Sequence, residues 1–147
     1  MKRIVSLILC LVMVFLFAGC GEKEVVEQND TTLLKQGGIS VLTAIELKDE
    51  AGKVWLTNEH FIRVYAMHNE QNGYFIQLEL TDEGEELFAE ATRANIGKTI
   101  SVLADGETLI AATVQQEIRD DSIALVNNES EEALMTLFNK LAEPKDE

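Results

Sequence analysis

The sequence predicts an α+β fold, a single antiparallel or mixed β-sheet with two main helices packed on one face. Three observations carry that expectation. Several short segments alternate apolar and polar residues, and two pairs of them meet at Asn72-Gly73 and Asp105-Gly106. Two longer segments, near 82–96 and 130–142, repeat apolar residues at helical spacing. The length, 147 residues of which 46% are hydrophobic, suits one domain with short appendages.

The first appendage is the N-terminus. Lys2 and Arg3 precede an apolar run from Ile4 to Ala18, broken only by Ser6. That run is too short to cross about 30 Å of hydrocarbon comfortably as a helix, and it has the pattern of an export signal. It ends in "FAGC", Phe17 to Cys20, which resembles the lipobox of bacterial lipoproteins. Small Ala18 and Gly19 suit a narrow protease site, and the Cys20 thiol would accept the diacylglycerol. The lipobox more often has Leu where this chain has Phe17. Cleavage after Gly19 as an ordinary signal, or retention as an uncleaved anchor, are the alternatives. The absence of any cysteine after Cys20 favours the lipobox. The expected organisation is a signal peptide at 1–19, a lipidated Cys20 with an acidic tether at 20–38, a folded domain at 39–143 and a tail at 144–147. Cys20 would hold the protein by its acyl chains to the extracytoplasmic side of the cell membrane. Each buried methylene contributes about 0.8 kcal/mol, so two or more chains are needed for firm attachment.

Gly37-Gly38 punctuates the end of the tether. "ISVLTAIELK" then predicts a strand with Ile39, Val41, Thr43, Ile45 and Leu47 on one face. "DEAGK" is a turn, "VWL" a short strand or core insert, and Thr57 caps one helical turn reaching Phe61. "RVYAMH" and "YFIQLELT" form a hairpin in which Tyr74, Ile76, Leu78 and Leu80 share a side. The first main helix starts at Thr81 or Asp82, has capping-box spacing between Asp82 and Glu85, and stops at Gly97. "KTISVLADGETLIAATV" is the clearest hairpin, and "DSIALVN" a further strand. Leu134, Leu137, Phe138 and Leu141 then mark the second helix, ended by Pro144.

Composition excludes several function classes. A net charge of -14, with 26 acidic residues, leaves no basic footprint for nucleic acid. Both cysteines, Cys10 and Cys20, precede the folded part, so a disulfide framework and a Cys-rich zinc site are excluded there. His60 and His68, the two histidines, have no spacing that fixes a metal site. The acids of Asp82, Glu83, Glu85 and Glu86 suit a helix N-terminus, and no serine has a nucleophile-elbow context. No metal, cofactor or catalytic residue is expected.

From Thr57 to Leu141 the sequence resembles the head subdomain of the first large extracytoplasmic domain of SecD and SecDF. In "YFIQLELTDEGEELFAEATRANIGKTISVLADGETLIAATV", Ile76, Leu78, Leu80, Gly84, Phe88 and Thr92 fill the family's strand and helix positions. Asn95-Ile96-Gly97-Lys98 and Asp105-Gly106 match its Asn-x-Gly-Lys and Asp-Gly, and "SEEALMTLFNKL" its last helix. There are departures. Ala112-Thr113 stands where the family often has Ala-Pro, and Asn127-Asn128 where it commonly has Gly. The sequence also reaches Glu147 without a second hydrophobic span, whereas the family continues into proton-conducting transmembrane helices. The resemblance implies a non-catalytic module that contacts secreted polypeptides or the Sec machinery; the alternative is an accessory envelope lipoprotein with a partner unrelated to export. Trp55, Phe61, Tyr65 and Tyr74 are candidates for an amphipathic binding surface. The resemblance adds the hairpin at Asp105 and Gly106, and an open strand edge offers β-augmentation as another mode.

Overall fold

Among the described residues, eight strands form two four-stranded antiparallel sheets, with a helix between the hairpins and another after the last strand. The computed structural model describes residues 31–126 and 130–143, and from Thr32 onward these fold as one unit. The strands are β1 (Thr32–Gly38), β2 (Ile45–Asp49), β3 (Val54–Leu56), β4 (Phe61–Asn69), β5 (Gly73–Leu80), β6 (Thr99–Ala104), β7 (Glu107–Thr113) and β8 (Ser122–Val126). The helices are α1 (Asp82–Ala94) and α2 (Glu131–Leu141). The first sheet has the order β1-β4-β5-β8 and the second β3-β2-β6-β7.

The expectation of one sheet is corrected. Both hairpins form as predicted, but they join different sheets. Alternation specifies which side chains face inward, not which distant strand will pair. The β4–β5 hairpin takes β1 and β8 as partners, and the β6–β7 hairpin takes β2. One core nevertheless serves both sheets, with Ile45, Leu47 and Val102 clustering with Val64, Ile76 and Leu78, and Phe88 and Phe138 supplied by the helices.

Two further expectations change at the domain's start. Residues placed in the tether, Thr32–Gly38, form β1, antiparallel to β4. Gly37 there does more than punctuate. A Cβ on it would lie 3.2 Å from the Ala142 Cβ and 3.3 Å from the Phe138 ring, so glycine allows α2 to approach the strand. The strand expected across 39–48 begins only at Ile45, and Val41–Thr43 is a turn. Side-chain hydrogen bonds hold that turn against extension. The Leu42 amide donates to Ser40 Oγ (3.1 Å), and the Thr43 hydroxyl donates to the Lys140 carbonyl (2.7 Å).

Local signals are obeyed elsewhere. Thr81 caps α1 by accepting from the Gly84 amide at 3.0 Å, and Ser130 caps α2 by accepting from Ala133. The Asp82–Glu85 capping-box spacing is not used. At Asp105-Gly106 both residues have positive φ, 51° and 81°, as a two-residue type I′ turn requires.

Candidate functional site

The alternation that builds β7 sends Ile110 and Ala112 to the same side. Together with Val102 of β6, Phe88 of α1 and Ile123 of β8 they line an apolar groove of about 390 Å³. Its walls come from β7 and β8, the terminal strands of the two sheets. The connection between those strands closes one side through Ile118, whose amide donates to the Thr92 hydroxyl at 2.9 Å. Thr92 in turn donates to carbonyls of its own helix, at Phe88 (2.9 Å) and Ala89 (3.1 Å). A second tie runs from the Leu80 amide to the Asp121 carbonyl at 2.7 Å. Ile118 itself is 40% exposed, so this wall is both anchored and accessible. Volume and apolar lining lie within the range of small-ligand and side-chain pockets. Gln77, Asp120 and Ser122 are the polar members of a lining that is otherwise apolar, a character suited to holding apolar side chains.

A second apolar feature is an exposed turn. Val41 and Leu42, at the tip of the β1–β2 turn, are 84% and 78% exposed. The turn beneath them is fixed by Asn58, whose side chain donates to the Ser40 and Thr43 carbonyls (2.8 and 2.6 Å) and accepts from the Ile45 amide (2.6 Å).

The residues expected to form a binding surface do not converge. Phe61 is 5% exposed and belongs to the core, a correction caused by its position at the inward start of β4. Tyr65 pairs with Gln77 and Tyr74 with His68 across the same hairpin, which places the two tyrosines on opposite faces of the first sheet. The Tyr65 hydroxyl donates to Glu79 at 2.6 Å, and this hydrogen bond, followed by desolvation, raises its pKa above the ordinary tyrosine value. Tyr74 lies against the His68 ring with centroids 4.5 Å apart. Asp105 is exposed, but its carboxylate accepts from the Ala44 amide at 2.9 Å, and its own amide donates back to the Ala44 carbonyl at 2.8 Å. Gly106 serves the turn geometry. Cys20 lies outside the described residues. His60 accepts from the Thr57 amide in a capping box, and no group of three potential metal ligands occurs among the described residues.

Trp55, on β3, is held rather than free. Its indole N–H donates to Asp49 at 3.0 Å, and the Lys53 ammonium lies 3.5 Å above the ring. That indole bond is the largest influence and, with the amide bonds from Lys53 and Ala51 and the Lys53 charge, outweighs the opposing desolvation and holds the Asp49 carboxyl below the usual carboxylate range. A depressed pKa means the link is intact above the ordinary aspartate value and is lost as pH falls through the lowered one. Trp55 emission should therefore titrate with a midpoint below that of an ordinary aspartate, and Asp49→Asn should abolish the step. A midpoint at or above the ordinary value would contradict this.

The residues missed in the sequence are those of the groove, Ile110, Ala112, Ile118 and Ile123. The available signal was a run from Leu109 to Thr113 with no charge in a strongly acidic chain. The family model for the SecDF P1 head subdomain matches residues 32–142, from the first residue of β1 to just beyond α2. The chain belongs to this family. The head is similar to the protein translocase subunit SecD of Dictyoglomus turgidum, 26% identical over 76 residues, which are 52% of this chain and 19% of the relative. SecD of Sebaldella termitidis is 32% identical over 77 residues, again 52% of this chain and 19% of the relative. The chain thus spans about a fifth of the length of these relatives. A crystal structure of SecDF in its super-membrane-facing form is 27% identical with a TM-score of 0.52, covering 62% of this chain and 13% of that one. A SecDF structure described as a membrane component that enhances protein export shares the fold, with a TM-score of 0.57 at 19% identity, over 72% of this chain and 64% of that one. Among the described residues of this P1 head, no helix is long and apolar enough to cross a membrane.

Proposed function

We propose that this P1 head is a non-catalytic, membrane-anchored extracytoplasmic module that binds exported polypeptides in the groove between β7 and β8. The observation that supports it is an accessible apolar groove in a chain whose relatives are protein translocase subunits. An unfolded chain in transit exposes apolar side chains with extended backbone, and a groove lined by Ile110, Ile118 and Ile123 takes such side chains without demanding a sequence. Membrane attachment in this reading comes from acylated Cys20. Cys20→Ser should abolish incorporation of labelled fatty acid, and continued labelling would overturn the anchor.

A photo-crosslinking residue at Ile118 in cells tests the binding role. Many different exported polypeptides, or Sec components, should be joined to it. Crosslinks to one folded envelope protein alone, or none above background, would reject export binding. A specific observation favours a second reading, an accessory envelope lipoprotein docked on a folded partner unrelated to export. Val41 and Leu42 form a rigid apolar knuckle suited to a preformed pocket. The same crosslinker at Leu42 would then give one discrete product, and Ile118 none.

A further inference from the structure

We propose that the outer edge of β7 captures an extended polypeptide by adding it to the second sheet as a new strand, with alternate side chains of the captured segment entering the groove. This rests on reading the groove as a polypeptide site, and adds how the backbone is held.

Among the described residues no strand pairs with the outer edge of β7, and that edge is oriented for pairing. Val114, which follows β7, donates its amide to the Lys98 carbonyl (2.9 Å) and accepts from the Gly97 amide (2.8 Å), so both its backbone groups face the start of β6. Backbone direction alternates along a strand. Ala112 and Ile110 therefore also face β6, their paired partners being Ile100 and Val102. The N–H and C=O groups of Ala111 and Thr113 are left pointing away from the sheet, enough for four new hydrogen bonds. Ala111, Ala112 and Thr113 are all exposed.

Sheet edges in native proteins are ordinarily guarded by charge, proline or a bulge. From Leu109 to Thr113 this strand has no charge and no proline. Its bulge, where Leu109 is the extra residue between the Val102–Ile110 and Leu103–Thr108 pairs, sits toward the hairpin and leaves the rest regular. The period of two that turns Ala111 and Thr113 outward sends the Ile110 and Ala112 side chains into the groove. An added strand would place its own alternate side chains beside them, over Ile118 and Ile123. Backbone pairing supplies affinity without sequence dependence, and the groove selects apolar residues at every second position.

The occupant is an extended segment with alternating apolar side chains and neutral or basic character. Asp120 lines the groove, Asp121 adjoins it, and the chain as a whole carries -14. A second copy of this chain fits less well. Two such charges repel, and in a pair of β7 edges Ile110 and Ala112 of one copy would meet those of the other without filling either groove.

The test uses the full chain and a fluorescent peptide of alternating valine and threonine with lysine at each end. Binding is expected, with a loss of at least tenfold for Thr113→Pro, which removes an outward donor and no ladder bond. A peptide N-methylated on alternate residues, which leaves the protein untouched, should lose at least as much in one of its two registers. Ile118→Glu should also abolish binding, by charging the groove. Equal affinity for Thr113→Pro and for both methylated peptides, with Ile118→Glu still inactive, would overturn the edge proposal and leave the groove reading standing. Failure of the parent peptide to bind would remove both. A dimer formed without peptide and lost in Thr113→Pro would overturn the proposed occupant in favour of self-pairing.

Discussion

Asn58→Ala should lower folding stability by about 3 kcal/mol, because three partly buried backbone groups each lose a partner at about 1 kcal/mol. Asn58 lies in the single 3-10 turn after Thr57, remote in sequence from the turn it holds. Its amide oxygen receives the Ile45 N–H, and its amide nitrogen serves the carbonyls of Ser40 and Thr43. No other residue type of this size offers one acceptor and two donors in a plane. Asn58→Asp should be as damaging, since a carboxylate keeps the Ile45 bond but faces two carbonyl oxygens. Urea unfolding checks both, with a lower midpoint at unchanged m. The control is the double change Val41→Ser, Leu42→Ser, on the same turn, which should stay within about 0.5 kcal/mol because those side chains are in water. A loss under 1 kcal/mol for Asn58→Ala would show that the turn is held by its other contacts, the Leu141 and Lys140 carbonyls.

Gly84→Ala is the second large effect, and helix propensity and packing act on it with opposite signs. Helix propensity alone favours alanine by about 1 kcal/mol. Packing opposes it. A Cβ on Gly84 would stand 2.5 Å from the His60 carbonyl oxygen and 3.1 Å from its Cβ, against backbone that cannot swing aside as a flexible side chain does. The same carbonyl accepts from the Thr81 amide at 2.9 Å, so moving it strains the cap of α1 as well. Overpacking of this kind costs about 3 kcal/mol, and the net loss should be about 2 kcal/mol. Thermal melting should fall by about 8 °C, at roughly 4 °C for each kcal/mol. A higher melting temperature would mean that α1 has shifted off the 3-10 turn and propensity has won.

Gly84 and Asn58 fall on either side of the line between local and distant information. Gly84 was legible in the sequence as a position of the family's helix, but the neighbour its missing Cβ accommodates was not. Asn58 gave no signal beyond its place after a cap, since its three partners come from 13 to 18 residues away. The binding region behaves in the same way. Phe61 looked like an aromatic available to a ligand and is core. Ile110 lay in an ordinary predicted strand and Ile118 carried no sequence signal, and both line the groove because β7 and β8 end separate sheets.

Sequence by itself determined the parts governed by neighbours along the chain. Asp105-Gly106 forced a type I′ hairpin, Thr81 and Ser130 set the helix starts, and alternation in Tyr74–Leu80 selected the buried face of β5. The family resemblance was also legible there, because it is carried by those turns and helix positions. Tertiary structure alone decided that the strands divide into two sheets, that Thr32–Gly38 joins β4, and that Val41–Thr43 turns instead of extending. Each of these depends on hydrogen bonds and packing between residues far apart in sequence. A period of two states which side of a strand is apolar; it carries no information about which strand lies alongside, or which edge is left open.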